Sequence, residues 1–320
     1  MDNPYSSIEW DSVDHLHSVT HEHTHRANVG GEAWDDSPDA QERFEGLYRR
    51  GIRHFAISNY HPAAPTYPLD AYFEGVPSDA LGCPNGEHTA GDRPHYCAPG
   101  STFESINRSY NPPWEELFDE LLDHLAYEDG GGIVINHPRR SALDINTIEK
   151  RLAYDPRVLG IEAWNHRGVV NPKYRARGNA LSTWDELLMG HHRVFGFFNP
   201  DYHSHWDGRS WGYEARGRNV LLVEEATEEA AARAYREGHF YGALDGSGLR
   251  FEQILATEEA ITVRTNGAES IEFISFGQSM QQSYDGSATY RPSADEPYVR
   301  IEAADATGER IFSQPIRFER

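Results

Sequence analysis

The sequence predicts an α/β fold followed by a small antiparallel β module, on three observations. Up to about residue 249, short apolar runs alternate with segments whose apolar residues recur at helical spacing. Helix-starting and helix-stopping residues sit at the joints between them. From about Phe251 the apolar period falls to two, as in A-I-T-V-R-T, S-I-E-F-I-S, Y-V-R-I-E-A and P-I-R-F-E. Residues 1–249 therefore read as a parallel sheet with helices, open or closed into a barrel, and 250–320 as an antiparallel, sandwich-like module.

The elements follow in order. V-D-H-L-H (13–17) reads as the end of a strand. Ser37-Pro38 reads as an N-cap with proline at the first helical position, opening a helix that stops at Gly51. I-R-H-F-A-I-S (52–58) is a strand. Residues 59–112 are rich in Pro, Gly and polar groups without a sustained period, which predicts a lid or binding insertion. Pro113 starts a helix on which Trp114, Leu117, Phe118, Leu121, Leu122 and Leu125 share one face, ended by Gly130–Gly132. Strands at 132–137, 159–164, 193–198 and 219–223 then alternate with helices at 144–153 and 180–189. A further helix is capped by Thr227 and closed by Gly238.

Composition sets bounds on function. The 320 residues carry 51 acidic and 29 basic side chains, a net charge of -22, and only Lys150 and Lys173 are lysines. Binding a nucleic-acid polymer through a broad basic face, or docking on an anionic membrane, needs cations this surface lacks. An acidic, lysine-poor surface is expected of a protein working in high salt. No apolar run is long enough to span a bilayer, and acidic residues interrupt the first thirty positions, so the expected location is the cytoplasm. Cys83 and Cys97 lie in one loop, where a bridge or two reduced thiols both fit; a cytoplasmic location favours the thiols. The 17 histidines beside so many carboxylates point to metal chemistry.

These residues collect at the expected strand ends, where parallel α/β folds build their sites. His15 and His17 are two apart, so on a strand they share a face. H-E-H-T-H (21–25) is either a solvated turn or the source of one further ligand, with Glu22 and His23 nearest. Glu87 and His95 lie in the long loop, His137 follows I-V-I-N, and Asp201 and His203 follow F-G-F-F-N-P. Imidazole and carboxylate without thiolate suit Zn²⁺, Mn²⁺ or Fe²⁺. Glu162 is either a ligand or an orienting group for His137. His54, His124, His191, His192 and His239 read as ordinary core or surface histidines.

The order of H-x-H, a strand with an S/T-D-H-like segment, a loop Glu and His, N-H-P, G-I-E and D-x-H resembles the PHP (polymerase and histidinol phosphatase) superfamily. The stretch N-V-L-L-V-E-E-A-T-E-E-A…E-G-H-F-Y-G (219–242) is most similar to its carbaryl-hydrolase-like CehA/McbA branch. The resemblance covers roughly residues 11–320. It implies a distorted (β/α)7 barrel with two or three divalent ions at its mouth. It places the H-x-H pair on His15 and His17, the bridging carboxylate on Glu87, the next histidine on His95, the N-H-P histidine on His137 and the D-x-H pair on Asp201 and His203. Ser58-Asn59-Tyr60 stands where relatives carry T-D-H, with His61 one step later. The Asp that often follows H-x-H is absent, Glu22 or His23 being nearest. Both departures leave a site with a single ion open.

The expected activity is hydrolysis of a small phosphomonoester or phosphodiester by a metal-activated hydroxide. His203 or His61 would protonate the leaving oxygen, Tyr60 or His61 would contact substrate, and Arg139 or Arg140 would clamp a phosphate bidentately. Two alternatives remain: a hydrolase of carboxylic esters, amides or carbamates with Tyr60, Trp164, Phe197, Trp206 and Trp211 as an apolar wall, and a metal-stabilised binding domain without catalysis. The expected partner is a small molecule.

Overall fold

A computed structural model of the chain describes residues 1–24, 40–59, 65–105, 111–202, 216–244 and 248–318, and structural statements below concern those residues. The chain runs through β1 (Asp14–Val19), α1 (Ala40–Arg49), β2 (His54–Phe55), β3 (Leu81–Gly82), β4 (Glu87–Thr89), β5 (His95–Cys97), α2 (Trp114–Asp123), β6 (Ile133–Ile135), α3 (Ile145–Leu152), β7 (Val158–Asn165), α4 (His166–Val170), α5 (Leu181–Met189), β8 (Phe195–Asn199), β9 (Arg218–Val223), α6 (Glu228–Glu237) and β10 (Phe240–Leu244). There follow β11 (Phe251–Ala256), β12 (Ile261–Thr265), β13 (Ser270–Ser275), β14 (Gln278–Ser283), β15 (Ser287–Tyr290), β16 (Tyr298–Ala304), β17 (Arg310–Ser313) and β18 (Ile316–Arg317).

The helices end where side chains satisfy their free peptide groups. Asp144 accepts from the Thr147 N–H at the start of α3, and Thr227 accepts from the Ala230 N–H at the start of α6. Gly238, at φ 79°, ends α6 in the left-handed region that disfavours a Cβ. The Ser37-Pro38 helix start lies outside the described residues.

The architecture is mixed α/β, in three sheets. One holds ten strands in the order β14-β13-β16-β17-β10-β9-β1-β2-β3, with β18 beside β16; β4 to β8 form a second, and β11-β12-β15 a third. β1, β2 and β3 run parallel, as do β6, β7 and β8, while β9 and β10 are antiparallel to their neighbours. β17 pairs with β10, so the large sheet continues across the expected boundary at 249/250. No helix among the described residues is long and apolar enough to cross a membrane.

Residue alternation explains the core. Leu16, Cys97, Val134, Leu159, Phe197 and Leu221, from six strands of both larger sheets, share one interior with Ala231 and Tyr235 of α6. Ile133 and Ile135, on the opposite side of β6, pack with Leu117, Ile148 and Trp184 of α2, α3 and α5. On β9, Leu221 and Val223 point inward, while Val220 and Leu222 join Phe251, Ile271 and Ile301 of the C-terminal strands.

Among the described residues no backbone ladder closes the expected seven-stranded ring. Buried asparagines span the seams instead, since one amide offers both donors and an acceptor to peptide groups that have left their ladder. The Phe198 N–H donates to Asn219 Oδ1 at 3.0 Å, and Asn219 Nδ2 to Asn199 Oδ1 at 3.3 Å, linking β8 to β9. Asn85 Nδ2 donates to the carbonyls of Thr20 and Ala56, both at 2.8 Å, while its Oδ1 accepts from the Ala98 N–H. The long segment expected as a lid is partly structural. It supplies β3 to the large sheet and the β4–β5 hairpin to the edge of β6. Cys83 and Cys97 are free, buried thiols.

A buried ionic group joins α5 to β16. Arg300 donates to both oxygens of Asp185, at 2.7 and 2.8 Å, and the Tyr298 hydroxyl donates to Asp185 Oδ1 at 2.8 Å. Removing Asp185 would leave the buried guanidinium with Glu302 alone and take away its two-point partner. Asp185→Ala should cost about 3–5 kcal/mol, read as a lowered Tm in one transition that includes the C-terminal strands. A separate, unshifted transition for residues 250–320 would refute that coupling.

His54 lies in the interior, its Nδ1 2.7 Å from Ser18 Oγ, and burial pushes its pKa down to about 3. It is neutral when folded and would take a proton when unfolded below about pH 6.5. Its contribution to stability is present above that pH and is lost as pH falls from about 6.5 toward 3. Denaturation at pH 7.5 and 5.0 should show a loss on the order of 1–2 kcal/mol from this group. His54→Asn should show a smaller loss between the same two pH values.

Candidate metal centre

Strand ends of both larger sheets bring imidazoles and carboxylates together. β1 ends at Val19, and Thr20 to Thr24 continue as a buried strap. The Thr20 N–H and hydroxyl both donate to Asn199 Oδ1, and the Thr24 N–H donates to Asn59 Oδ1 at 3.0 Å. The strap holds His21 and His23 inward. β4 supplies Glu87 and β5 His95, the turn after β6 supplies His137, β7 supplies Glu162 and Asn165, and the turn after β8 supplies Asp201.

Two groups could each hold a metal ion: His21, His23 and Asp201, and His21, Glu87 and His137, with the ligand atoms of each group within 4.8 Å of one another. All five side chains are buried. His21 Nε2 lies 3.2 Å from Glu87 Oε1 and 3.3 Å from Asp201 Oδ1, and makes no hydrogen bond. His23 Nε2 lies 3.2 Å from Glu87 Oε2 and 3.5 Å from Asp201 Oδ1. Glu87 thus reaches both groups with different oxygens. Its Oε1 also meets His95 Nδ1 at 2.8 Å and His137 Nε2 at 3.3 Å. His95 is 32% exposed, so it sits at the mouth.

Glu162 organises this set without itself belonging to either group. Its Oε1 accepts from His21 Nδ1 at 2.8 Å and from Asn199 Nδ2 at 2.9 Å. Its Oε2 accepts from the His137 N–H at 2.7 Å and from Asn165 Nδ2 at 2.9 Å. The bond to Nδ1 leaves Nε2 as the His21 nitrogen that faces Glu87 and Asp201, the one a cation would take. His137 and Asp201 adopt φ of 29° and 48°, a left-handed region costly for residues with a Cβ. Glu162 holds the first through its peptide N–H, and the His21 carbonyl holds the second, accepting from the Asp201 N–H at 2.9 Å.

The electrostatics follow from charge packed without water. Burial would raise the Glu87 pKa, but His21 and His95 hold it well below the ordinary carboxylate range, and His21 lowers Glu162 likewise. Burial would lower His21, but Asp201, Glu162 and Glu87 raise it well above 6.5. Burial and the neighbouring Arg140 push His137 down to about 4. Three buried carboxylates around imidazole nitrogens favour a cation, and nitrogen and oxygen donors without thiolate suit a divalent ion of the zinc or manganese kind.

The structure places the expected site residues as follows. Glu87, His137, Asp201 and His23 lie in the cluster, with His95 beside them. His15 and His17 do not. On β1 they pair with Leu222 and Val220, which face the C-terminal strands, so strand alternation turns both imidazoles outward. His15 Nδ1 meets the Tyr241 hydroxyl at 3.0 Å. The strand simply runs two residues further than expected, and the converging pair is His21 and His23. Glu22, between them, points the other way and accepts from Arg43 Nε at 2.5 Å. Arg139 donates to the Asn179 carbonyl at 2.5 Å, outside the cluster, whereas Arg140 reaches Asp201 and His137. Asn59 holds the strap and supplies no ligand atom to either group. Tyr60, His61, His203, Trp206 and Trp211 lie outside the described residues. His21 and the asparagines at 165 and 199 were not singled out by the sequence. The signal for His21 was a second H-x-H just past a strand end.

No family model and no curated protein matches the chain. Among solved structures it is similar to a two-domain protein containing predicted PHP-like metal-dependent phosphoesterase from Bacteroides vulgatus ATCC 8482, at 13% identity. The alignment covers 97% of this chain and 88% of that one, with a TM-score of 0.49.

Metal analysis of variants tests the geometry. His21→Ala should lose most bound divalent ion, and His15→Ala should keep the wild-type content. Glu162→Gln should weaken metal affinity about 10–100-fold, as expected for a group that orients ligands. Equal metal loss in His15→Ala would overturn the assignment.

Proposed function

We propose that this chain is a metal-dependent phosphoesterase of PHP type acting on a small phosphorylated molecule, with the strands around the shared interior as its distorted barrel. The observation that carries this reading is the meeting of guanidinium groups with the imidazole–carboxylate cluster. Arg140 Nη1 lies 2.5 Å from Asp201 Oδ2, and Arg167 Nη1 lies 3.8 Å from Asp201 Oδ1. Both face the ring of Tyr174, at 5.0 and 5.9 Å. Two guanidinium cations beside the ligands suit an anionic substrate.

A bound divalent ion would supply an activated water and neutralise charge developing on a phosphoryl group. His21, His23, Glu87, His137 and Asp201 would hold one or two such ions. Arg140 and Arg167 would orient the phosphoryl oxygens, where a planar fork matches two acceptors at once. Glu162 would keep His21 in the tautomer that coordinates. A neutral ester would instead need an apolar wall. Of the candidates for one, Phe197 is sealed in the interior and Trp164 packs with the helices against β6 and β7.

Protein loaded with Mn²⁺ or Zn²⁺ should hydrolyse p-nitrophenyl phosphate or bis-p-nitrophenyl phosphate, and Asp201→Ala should reduce kcat/KM at least about 100-fold. Hydrolysis of aryl acetates alone would replace this reading with the ester-hydrolase one. Metal binding with no turnover of any of the three would leave a binding domain.

A further inference from the structure

Arg140 touches atoms that a metal ion would use. Its Nη2 donates to His137 Nε2 at 2.5 Å, while its Nη1 holds Asp201 Oδ2. The imidazole Nε2 has one lone pair, and it either accepts this hydrogen bond or binds a cation. His137 cannot offer its other nitrogen without losing Ser141, whose Oγ lies 3.1 Å from Nδ1. The two candidate groups are therefore unequal. His21, His23 and Asp201 Oδ1 face one another without Arg140; with the one free nitrogen of His21 taken there, a second ion would rest on Glu87 and His137, and the guanidinium already holds Nε2 of His137.

Arg140 is also free to leave in a way the ligands are not. Its side chain is 11% exposed, at the rim of the cluster and beside Tyr174. Asp201 Oδ2 keeps a second donor, Asn165 Nδ2 at 3.0 Å, so the carboxylate stays oriented when the guanidinium moves. A tetrahedral dianion at the mouth offers the fork two charged acceptors in place of one carboxylate oxygen and one neutral nitrogen.

We propose that Arg140 is an internal cation that competes with a divalent ion for His137, and that a tetrahedral dianion draws it off. Anion binding and loading of the second ion are then coupled, each tightening the other by the same factor. The proposal rests on the metal-binding part of the reading above and not on turnover, so it is tested by binding alone.

The experiment is titration of chelator-treated full-length protein with Mn²⁺, followed calorimetrically, in sodium sulfate or in sodium chloride of matched ionic strength. Wild-type protein should show two steps, and sulfate should tighten the second at least about 5-fold. Arg140→Ala should bind the second ion more tightly than wild type in chloride and lose most of the sulfate effect. Arg139→Ala, outside the cluster, should keep wild-type behaviour. A single step in every condition, no sulfate effect in wild type, or an unchanged second step in Arg140→Ala would each overturn the proposal. The wild-type comparison decides even if Arg140→Ala fails to fold. Failure to hydrolyse phosphoesters, with the coupling intact, would sink only the proposed reaction.

Discussion

The Glu162 carboxylate is the group on which the site depends. It is fully buried within β7, where an isolated charge would be very costly. Four donors from four parts of the chain offset that cost: the imidazole of His21, the peptide of His137 and the amides of Asn165 and Asn199. Each donor lies at or just past a strand end. One carboxylate therefore ties the strap after β1, the turn after β6 and the ends of β7 and β8 into a single arrangement. Through these bonds it sets where His21 and His137 point. The strained backbones of His137 and Asp201 are tolerable because the same network holds them.

The sheets prepare this convergence. Alternation assigns each strand one face to the shared interior and one to helices or C-terminal strands, so most of the ligand side chains come from strand ends and the turns after them. The asparagine seams continue the same logic. Asn199 accepts from Thr20 and Asn219 while donating to Glu162, which makes one side chain part of both the seam between the sheets and the site. A substitution at this seam is consequently felt at His21, although Asn199 is in neither candidate metal group.

Much of the fold was legible in the sequence, for identifiable reasons. α2, α3 and α6 carry apolar faces at helical spacing and their own caps or stops, such as Thr227 and Gly238. β6 to β9 read as short apolar runs because both of their faces are buried. β3 to β5 were not legible, since strands of two or three residues carry no period and depend on neighbours to form. The pairing of β17 with β10 is likewise a long-range contact that period-two patterning does not specify. At the site, Glu87, His137 and Asp201 stood out by their position after strand-like segments. The histidine pairs were ambiguous because H-x-H occurs twice within nine residues, at 15–17 and 21–23. Choosing between them requires knowing where β1 ends, and a strand shift of one residue exchanges faces.

The scarcity of lysine also takes on a structural meaning. Several buried carboxylates are met by arginine: Glu22 by Arg43, Asp201 by Arg140 and Asp185 by Arg300. The pair made by Lys150 with Glu115 is, by contrast, exposed on both sides. A lysine held in such interiors can lose its proton, and with it the pairing, whereas a guanidinium stays charged at any pH the fold survives. Its planar fork also spans two acceptors, as on Asp185. At the metal centre the same property has a further consequence. Arg140 cannot be neutralised by crowding among cations. Close approach of a divalent ion to His137 must therefore displace it, and the anion that receives it is selected by charge and by two-point geometry together.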